Sequence, residues 1–421
     1  MTDSLPFLTA DLPGVGGAIK TRPEDFFVEE LPAYEPSGSG THIYAQIEKK
    51  GLGTREAIDR IARALNIQRR DIGTAGLKDA HAVARQWISI EHIDPAKLEQ
   101  LSLAEVRVLK TSRHTNKLKP GHLRGNRFVV RVRQLALPPE EALAIAEKAM
   151  AILTTRGVPN YFGPQRFGNH RNNHLLGRAL ARNDADGFMD EFLGRPNAEF
   201  DSPTVLQARS QYEQGQYEES VKSWPHQFSD HRRALRAIIA GKGKKKRGLF
   251  TVDKHLQGLF ISAYQSDLFN RVLVARMPDI DKVFLGDMAY KHDNGACFRV
   301  EQPEVEQPRC DRFEISPTGP LMGQRTTRLT GPAGEIENPI LEAESLGEGE
   351  SGHMKRLGAR GGRRPLRFQP RNADLKSGLD ELGPYLELRF ELDAGCYATT
   401  LISEITKDRT AEATETTEPE E

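Results

Sequence analysis

From His42 to Glu48 apolar and polar positions alternate, with Ile43, Ala45 and Ile47 set against Tyr44, Gln46 and Glu48. That is the two-residue period of a strand buried on one face. The period then lengthens. Ala57, Ile58, Ile61, Ala62 and Leu65 recur at helical spacing and form one apolar stripe, predicting a helix over Thr54 to Asn66 with Thr54 as its N-cap. Gln86 to Ile90 and Arg127 to Arg133 read as further strands, the second with Phe128, Val130 and Val132 on one face. Pro138 and Pro139 open a helix that carries Leu143, Ala146, Met150 and Leu153 inward and stops at Gly157.

The pattern changes in the central third, where residues 169 to 311 are mainly helical and amphipathic, with a break from Gly241 to Gly248 and little strand periodicity before Lys282. Residues 331 to 352, rich in Gly and Glu, predict a mobile surface segment. Strand alternation returns with Leu386, Leu388, Phe390 and Leu392, and the acidic run AEATETTEPEE predicts a disordered tail. The inferred class is mixed α/β (α+β): a mixed, largely antiparallel sheet built from both chain ends and interrupted by a large, mainly helical insertion. The expected divisions are 1–156, an insertion at 157–360, a return at 361–408 and a tail at 409–421.

Composition changes this picture mainly through charge. The 421 residues sum to a net charge of zero. However, residues 335 to 350 hold six acids and residues 411 to 421 hold five, without a base in either, so the rest carries eleven excess cations. Nine Lys or Arg fall between Arg107 and Arg133 without an acid, seven more between Lys355 and Arg371, and Lys242, Lys244, Lys245, Lys246 and Arg247 form a third block. Three such runs favour a polyanionic partner, since clustered cations release the counterions condensed on phosphates. No apolar stretch is long enough to span a bilayer, and the first residues lack the basic and apolar regions of a signal peptide, so a cytoplasmic protein with no membrane role is expected. Three cysteines without a CxxC pair, and no HExxH, give no indication of a metal.

Candidate chemistry falls in breaks of the pattern. Gly76-Leu77-Lys78-Asp79-Ala80-His81 lies between a predicted helix and a predicted strand, where a reactive side chain can be held rigidly, although an Asp in such a loop is more often a turn or cap residue. The segment GVPNYFGPQRFG, from Gly157 to Gly168, concentrates glycines, prolines and aromatics with Asn160 and Arg166. It suits either a loop presenting flat groups to single-stranded RNA or a structural loop whose aromatics plug the core.

Taken together, RPEDF from Arg22, GLKDAHA from Gly76, GNRF from Gly125, NYFGPQRFG from Asn160, SAYQSDLFNRVLVAR from Ser262, EISPTGPLMG from Glu314 and AGCYATTLISE from Ala394 resemble the TruD family of tRNA pseudouridine synthases. The motifs run in order over nearly the whole chain. The resemblance implies a pseudouridine synthase catalytic domain with a family-specific insertion, acting on uridine in tRNA, at position thirteen in bacterial members, without cofactor, metal or energy source. It implies Asp79 as the catalytic aspartate. It further implies that Phe26, Asn126 and Tyr397 hold the target nucleoside, with Lys20 and Phe128 beside them; Tyr397 stands where relatives more often carry Phe. Lys78 and Lys20 are the cations expected to keep Asp79 ionised. Lys78, Lys117, Lys119, Arg124 and Arg166 are the candidate contacts to the RNA backbone, and a monomer is expected. A binding-only RNA chaperone and a base-releasing nucleosidase are the alternatives.

Overall fold

The computed structural model describes residues 5–344, 354 and 358–408. The chain divides into two compact units: Phe7–Val158 together with the chain from Phe368 onward, and Pro159–Arg367 with the residues before Phe7. The first unit holds an eight-stranded sheet. Six strands come from the amino-terminal part: β1 (Phe26–Pro32), β2 (His42–Lys50), β3 (Ile72–Thr74), β4 (Val83–Glu91), β5 (Val106–His114) and β6 (Leu123–Arg133). The other two form a hairpin, Arg371–Asp380 and Gly383–Asp393. The order is hairpin, β6, β1, β4, β2, β5, with β3 on β4, and only β1 and β4 run parallel. A sheet drawn from both chain ends is thus what forms, and the fold is mixed α/β.

The apolar positions that predicted the strands lie on buried faces, although in β2 the opposite face is covered as well, with His42 and Tyr44 buried. Leu386, Leu388, Phe390 and Leu392 are all buried, joined by Phe128 and Val130 from β6, and helices Pro139–Arg156 and Ala398–Thr406 complete that core. Helix Thr54–Leu65 lays Ala57, Ile58, Ile61 and Ala62 over Ile43, Ala45, Ile47 and Ile88. Thr54 is not its N-cap: extended Gly53 takes that position, and the Thr54 hydroxyl is used elsewhere. Gly125 is required where β6 meets the hairpin, because a Cβ there would lie 2.1 Å from the Leu392 carbonyl oxygen.

In the second unit the long helix Lys254–Arg276 buries apolar side chains along its length, and helix Asn173–Ala181 packs on it. Gly177 permits that approach, since a Cβ would come within 2.0 Å of the Phe260 carbonyl oxygen. A four-stranded antiparallel sheet runs in the order Gly362–Pro365, Ile315–Leu321, Met288–Lys291, Cys297–Arg299.

Residues 331–342 depart from expectation. They form a helix, Gly331–Glu342, with Ala333 and Leu341 in the interior. Glu337 is also buried there, because the Arg363 guanidinium grips both its oxygens at 2.7 and 2.8 Å. A glutamate-rich composition predicts solvent only while each carboxylate lacks a cation in space. Glu344, just beyond the helix, is buried as well, paired with Arg178 and Arg271; residues 345–352 and the acidic tail lie outside the described residues. Among the described residues no helix is long and apolar enough to cross a membrane.

Candidate active site

Asp79 sits in the loop entering β4, and three buried groups hold that loop. Thr54 accepts from the Lys78 amide at 2.8 Å while donating to Gln86 Oε1 at 2.8 Å. Lys49, wholly buried at the end of β2, donates to the carbonyl oxygens of Lys78 at 3.2 Å and Asp79 at 2.7 Å. The Lys78 ammonium turns inward to Glu30 Oε2 at 2.9 Å, with only 4% and 1% of the two side chains exposed. Glu30 accepts in addition from the Trp87 amide at 3.3 Å. A loop tied at both carbonyls and by an inward ion pair presents its next side chain in one orientation.

That side chain is the Asp79 carboxylate, 35% exposed, with Lys20 Nζ 3.3 Å from Oδ2. Lys20 takes a left-handed backbone conformation at φ 58°, and its ammonium lies 4.6 Å from the centre of the Phe26 ring. The cation is therefore fixed between a carboxylate and a π face, which favours the ionised aspartate.

Register places the other expected residues. In the β1–β6 pair, Phe26 faces Val130, Val28 faces Phe128 and Glu30 faces Asn126. Residues directly opposite share a face, so Phe26, Phe128 and Asn126 project to the side on which Glu30 meets Lys78. Asn126 Oδ1 is buried and has no hydrogen-bond partner among the described residues. Tyr397, at the start of the carboxy-terminal helix, is 39% exposed. Phe26 and Phe128 are core residues: their rings meet edge to face at 6.0 Å, and Phe128 stacks on Phe390 at 5.4 Å. Both rings are buried, Phe26 beneath the Lys20 ammonium that meets Asp79.

Several expected RNA contacts are placed otherwise. Lys78 is committed to Glu30 inside the protein and cannot reach a phosphate. Lys119 and Arg124 are exposed, whereas Lys117 donates to the Arg70 carbonyl. Runs without acids in sequence are not without acids in space. Arg127 bonds Glu29 and Glu391, Arg131 bonds Glu387, and Arg133 is buried between Asp25 and Asp380. Those two carboxylates hold the Arg133 guanidinium above its usual range, and in return it is the chief cause of a depressed Asp380. In the second unit Arg367 is wholly buried on the Cys310 carbonyl at 2.6 Å.

The NYFGPQRFG loop belongs to that second unit and plugs its core, with Tyr161, Phe162 and Phe167 buried. Asn270 pins it by pairing with both backbone groups of Phe162 at 2.9 Å. Arg166 lies 5.4 Å from the Phe162 ring and reaches Ser262 Oγ at 3.4 Å. Sequence reasoning missed Lys49, Glu30 and Thr54. A lysine in the apolar register of β2 was the only signal that could have found Lys49, and one position of that kind does not stand out from a strand end.

A rigid loop carrying one carboxylate beside a fixed ammonium has the charge and orientation to stabilise a developing positive charge. The family described as tRNA pseudouridine synthase D (TruD) matches residues 4–405. Relatives named tRNA pseudouridine synthase D are 43% identical in Geobacter sp. (strain M21), covering 95% of this chain and 99% of that protein, and 42% identical in Geobacter metallireducens, covering 97% and 99%. The crystal structure of a Methanosarcina mazei protein assigned to TruD superposes with a TM-score of 0.87 at 26% identity, covering 96% of this chain and 97% of that one. The chain belongs to the TruD family of tRNA pseudouridine synthases, isomerases that convert uridine to pseudouridine.

Proposed function

We propose that this protein isomerises uridine in tRNA, at position thirteen, in the cytoplasm, with Asp79 as its single catalytic carboxylate and with neither cofactor nor metal. The observation that carries the reading is the half-buried Asp79 carboxylate held 3.3 Å from Lys20 on a loop whose backbone is fixed by Lys49 and Thr54. In the reaction the bond from uracil N1 to the ribose C1′ breaks, the base turns, and C5 bonds to C1′; C5 loses a proton and N1 gains one. The Asp79 anion engages the ribose as oxocarbenium character develops, as carboxylates do in glycoside hydrolysis. Uracil leaves as a delocalised anion and stays in the pocket, so a second carboxyl acting as acid is not demanded.

Asn126 Oδ1 accepts from the uracil edge, and Tyr397 stacks on a base extruded from its helix. Lys119 and Arg124, with Lys117 beside them, meet phosphates, which fix register and carry little sequence information. The test is turnover of an unmodified tRNA transcript, followed by tritium release from C5-labelled uridine and by mapping of pseudouridine. Asp79→Asn should bind tRNA and lose at least about a hundredfold to a thousandfold in turnover, as when a preorganised electrostatic contact is removed. Near-normal turnover by Asp79→Asn would remove it from the chemistry, and release of free uracil would make the enzyme a nucleosidase.

A further inference from the structure

Phe250, in the second unit, is 75% exposed. It directly follows the short helix Lys245–Leu249, and Lys246 Nζ lies 5.9 Å from the centre of its ring. From His231 to Val252 the chain carries eight cations and no acid. Two of them are neutralised, Lys245 by Asp190 and Arg233 by Asp230. Arg236, Lys242, Lys244, Lys246 and Arg247 are exposed, and none has a carboxylate within ion-pair distance among the described residues. Their charge faces solvent without compensation.

This exposure does not come from a slack loop. The turn ahead of the helix is closed by Lys242 N donating to the Ile239 carbonyl at 2.9 Å and Gly243 N to the Ile238 carbonyl at 3.0 Å. Behind Phe250, the Thr251 hydroxyl donates to the Gly248 carbonyl at 2.7 Å, and Val252 is buried. The ring is therefore held out by ordered neighbours on both sides. A protein partner would need a broad apolar surface, but the exposed residues that flank Phe250 in the chain are cationic. One flat apolar face with an ammonium beside it and further uncompensated cations in the same short stretch of chain fits a group that is itself flat on one side and anionic on the other.

We propose that Phe250 is a stacking platform for an unpaired RNA base, with Lys242, Lys244, Lys246 and Arg247 taking the phosphates on either side of that nucleotide. The inference rests on the reading that the substrate is a tRNA, and it assigns the inserted unit an aromatic contact of its own. Stacking tolerates any base, so the platform adds affinity and leaves the choice of uridine to the first unit.

The experiment measures equilibrium binding of an unmodified tRNA transcript to the full chain, with pseudouridine formation by the wild type assayed in the same preparation. Phe250→Ala and Phe250→Leu should both weaken binding by about tenfold, because leucine supplies apolar area without a π face. Lys242→Gln, Lys244→Gln and Lys246→Gln together should reduce the slope of log affinity against log salt by about 2–3. Trp87 and Trp224 are buried, so Phe250→Trp adds an exposed reporter whose emission should be quenched on binding tRNA. Wild-type affinity in Phe250→Ala, wild-type affinity in Phe250→Leu alone, or Trp emission indifferent to tRNA would each overturn the platform. A wild type that makes no pseudouridine would sink the proposed function, whereas an active wild type with unaltered Phe250 variants sinks only this inference.

Discussion

Replacing Glu30 by Gln tests the claim that a buried ion pair aims the Asp79 loop. The Lys78 ammonium and the Glu30 carboxylate are 2.9 Å apart with 4% and 1% of their side chains exposed. At an effective dielectric constant of about 20 their attraction is roughly 6 kcal/mol, most of it offset by the cost of taking both ions out of water. Glutamine preserves volume and can still accept from the Trp87 amide. It removes the charge and replaces the oxygen facing Lys78 with an amide NH2 that cannot accept, leaving a buried ammonium uncompensated, for which the expected loss is about 3–5 kcal/mol, or about 10 °C in Tm. Urea unfolding followed at Trp87, with Trp224→Phe in every chain so that emission reports the sheet, gives the number. Pairing Glu30→Gln with Lys78→Met should recover most of the loss, since the ammonium is then gone as well. Turnover in Glu30→Gln should fall by about a hundredfold, the effect of moving a reacting group by about 1 Å. A loss below about 1 kcal/mol, or a double variant no more stable than the worse single one, would refute the anchoring role.

Two further outcomes are expected. Neutralising Lys117, Lys119 and Arg124 together should weaken tRNA binding and lower its salt slope by about 2–3; an unchanged slope would take them out of the interface. His231 packs at 4.0 Å from the Phe192 ring and 4.4 Å from Trp224, and burial, with Arg209 nearby, pushes its imidazole down to about 3. The folded protein thus keeps it neutral while the unfolded chain protonates it near 6.5, so this contribution is complete above pH 6.5 and is lost as pH falls toward 3. Between pH 6.5 and 5 the second unit should lose roughly 2 kcal/mol, and His231→Phe should flatten that limb; an equal slope in both chains would contradict the assignment.

Much of the architecture can be read from local periodicity, because a side chain's face is set by its own backbone. The period of two in residues 386–392 and the apolar stripe of residues 57–62 are the burial seen in the sheet and its helix. Loop identity was legible too: GLKD does fall in a break of the pattern, although the element before it is the short strand β3 and not the helix, and GNRF contains a glycine that the Leu392 carbonyl leaves no room to replace. The motif order across the chain pointed to the family before any coordinate did.

Charge was the property that one dimension misrepresented. Lys78 looked available to phosphate and is held by Glu30, 48 residues earlier; Arg133 looked like part of an RNA-binding run and is held by Asp25 and by Asp380, 247 residues later. Likewise the aromatics of NYFGPQRFG, which suited either bases or a core, fill a core, while Phe250, in a segment read only for its cations, stands in solvent. Sequence determines which groups exist and which face of an element they take. Whether a charge is spent inside the protein or remains for a ligand depends on which distant strand or helix lies within about 4 Å, and only the folded chain fixes that distance.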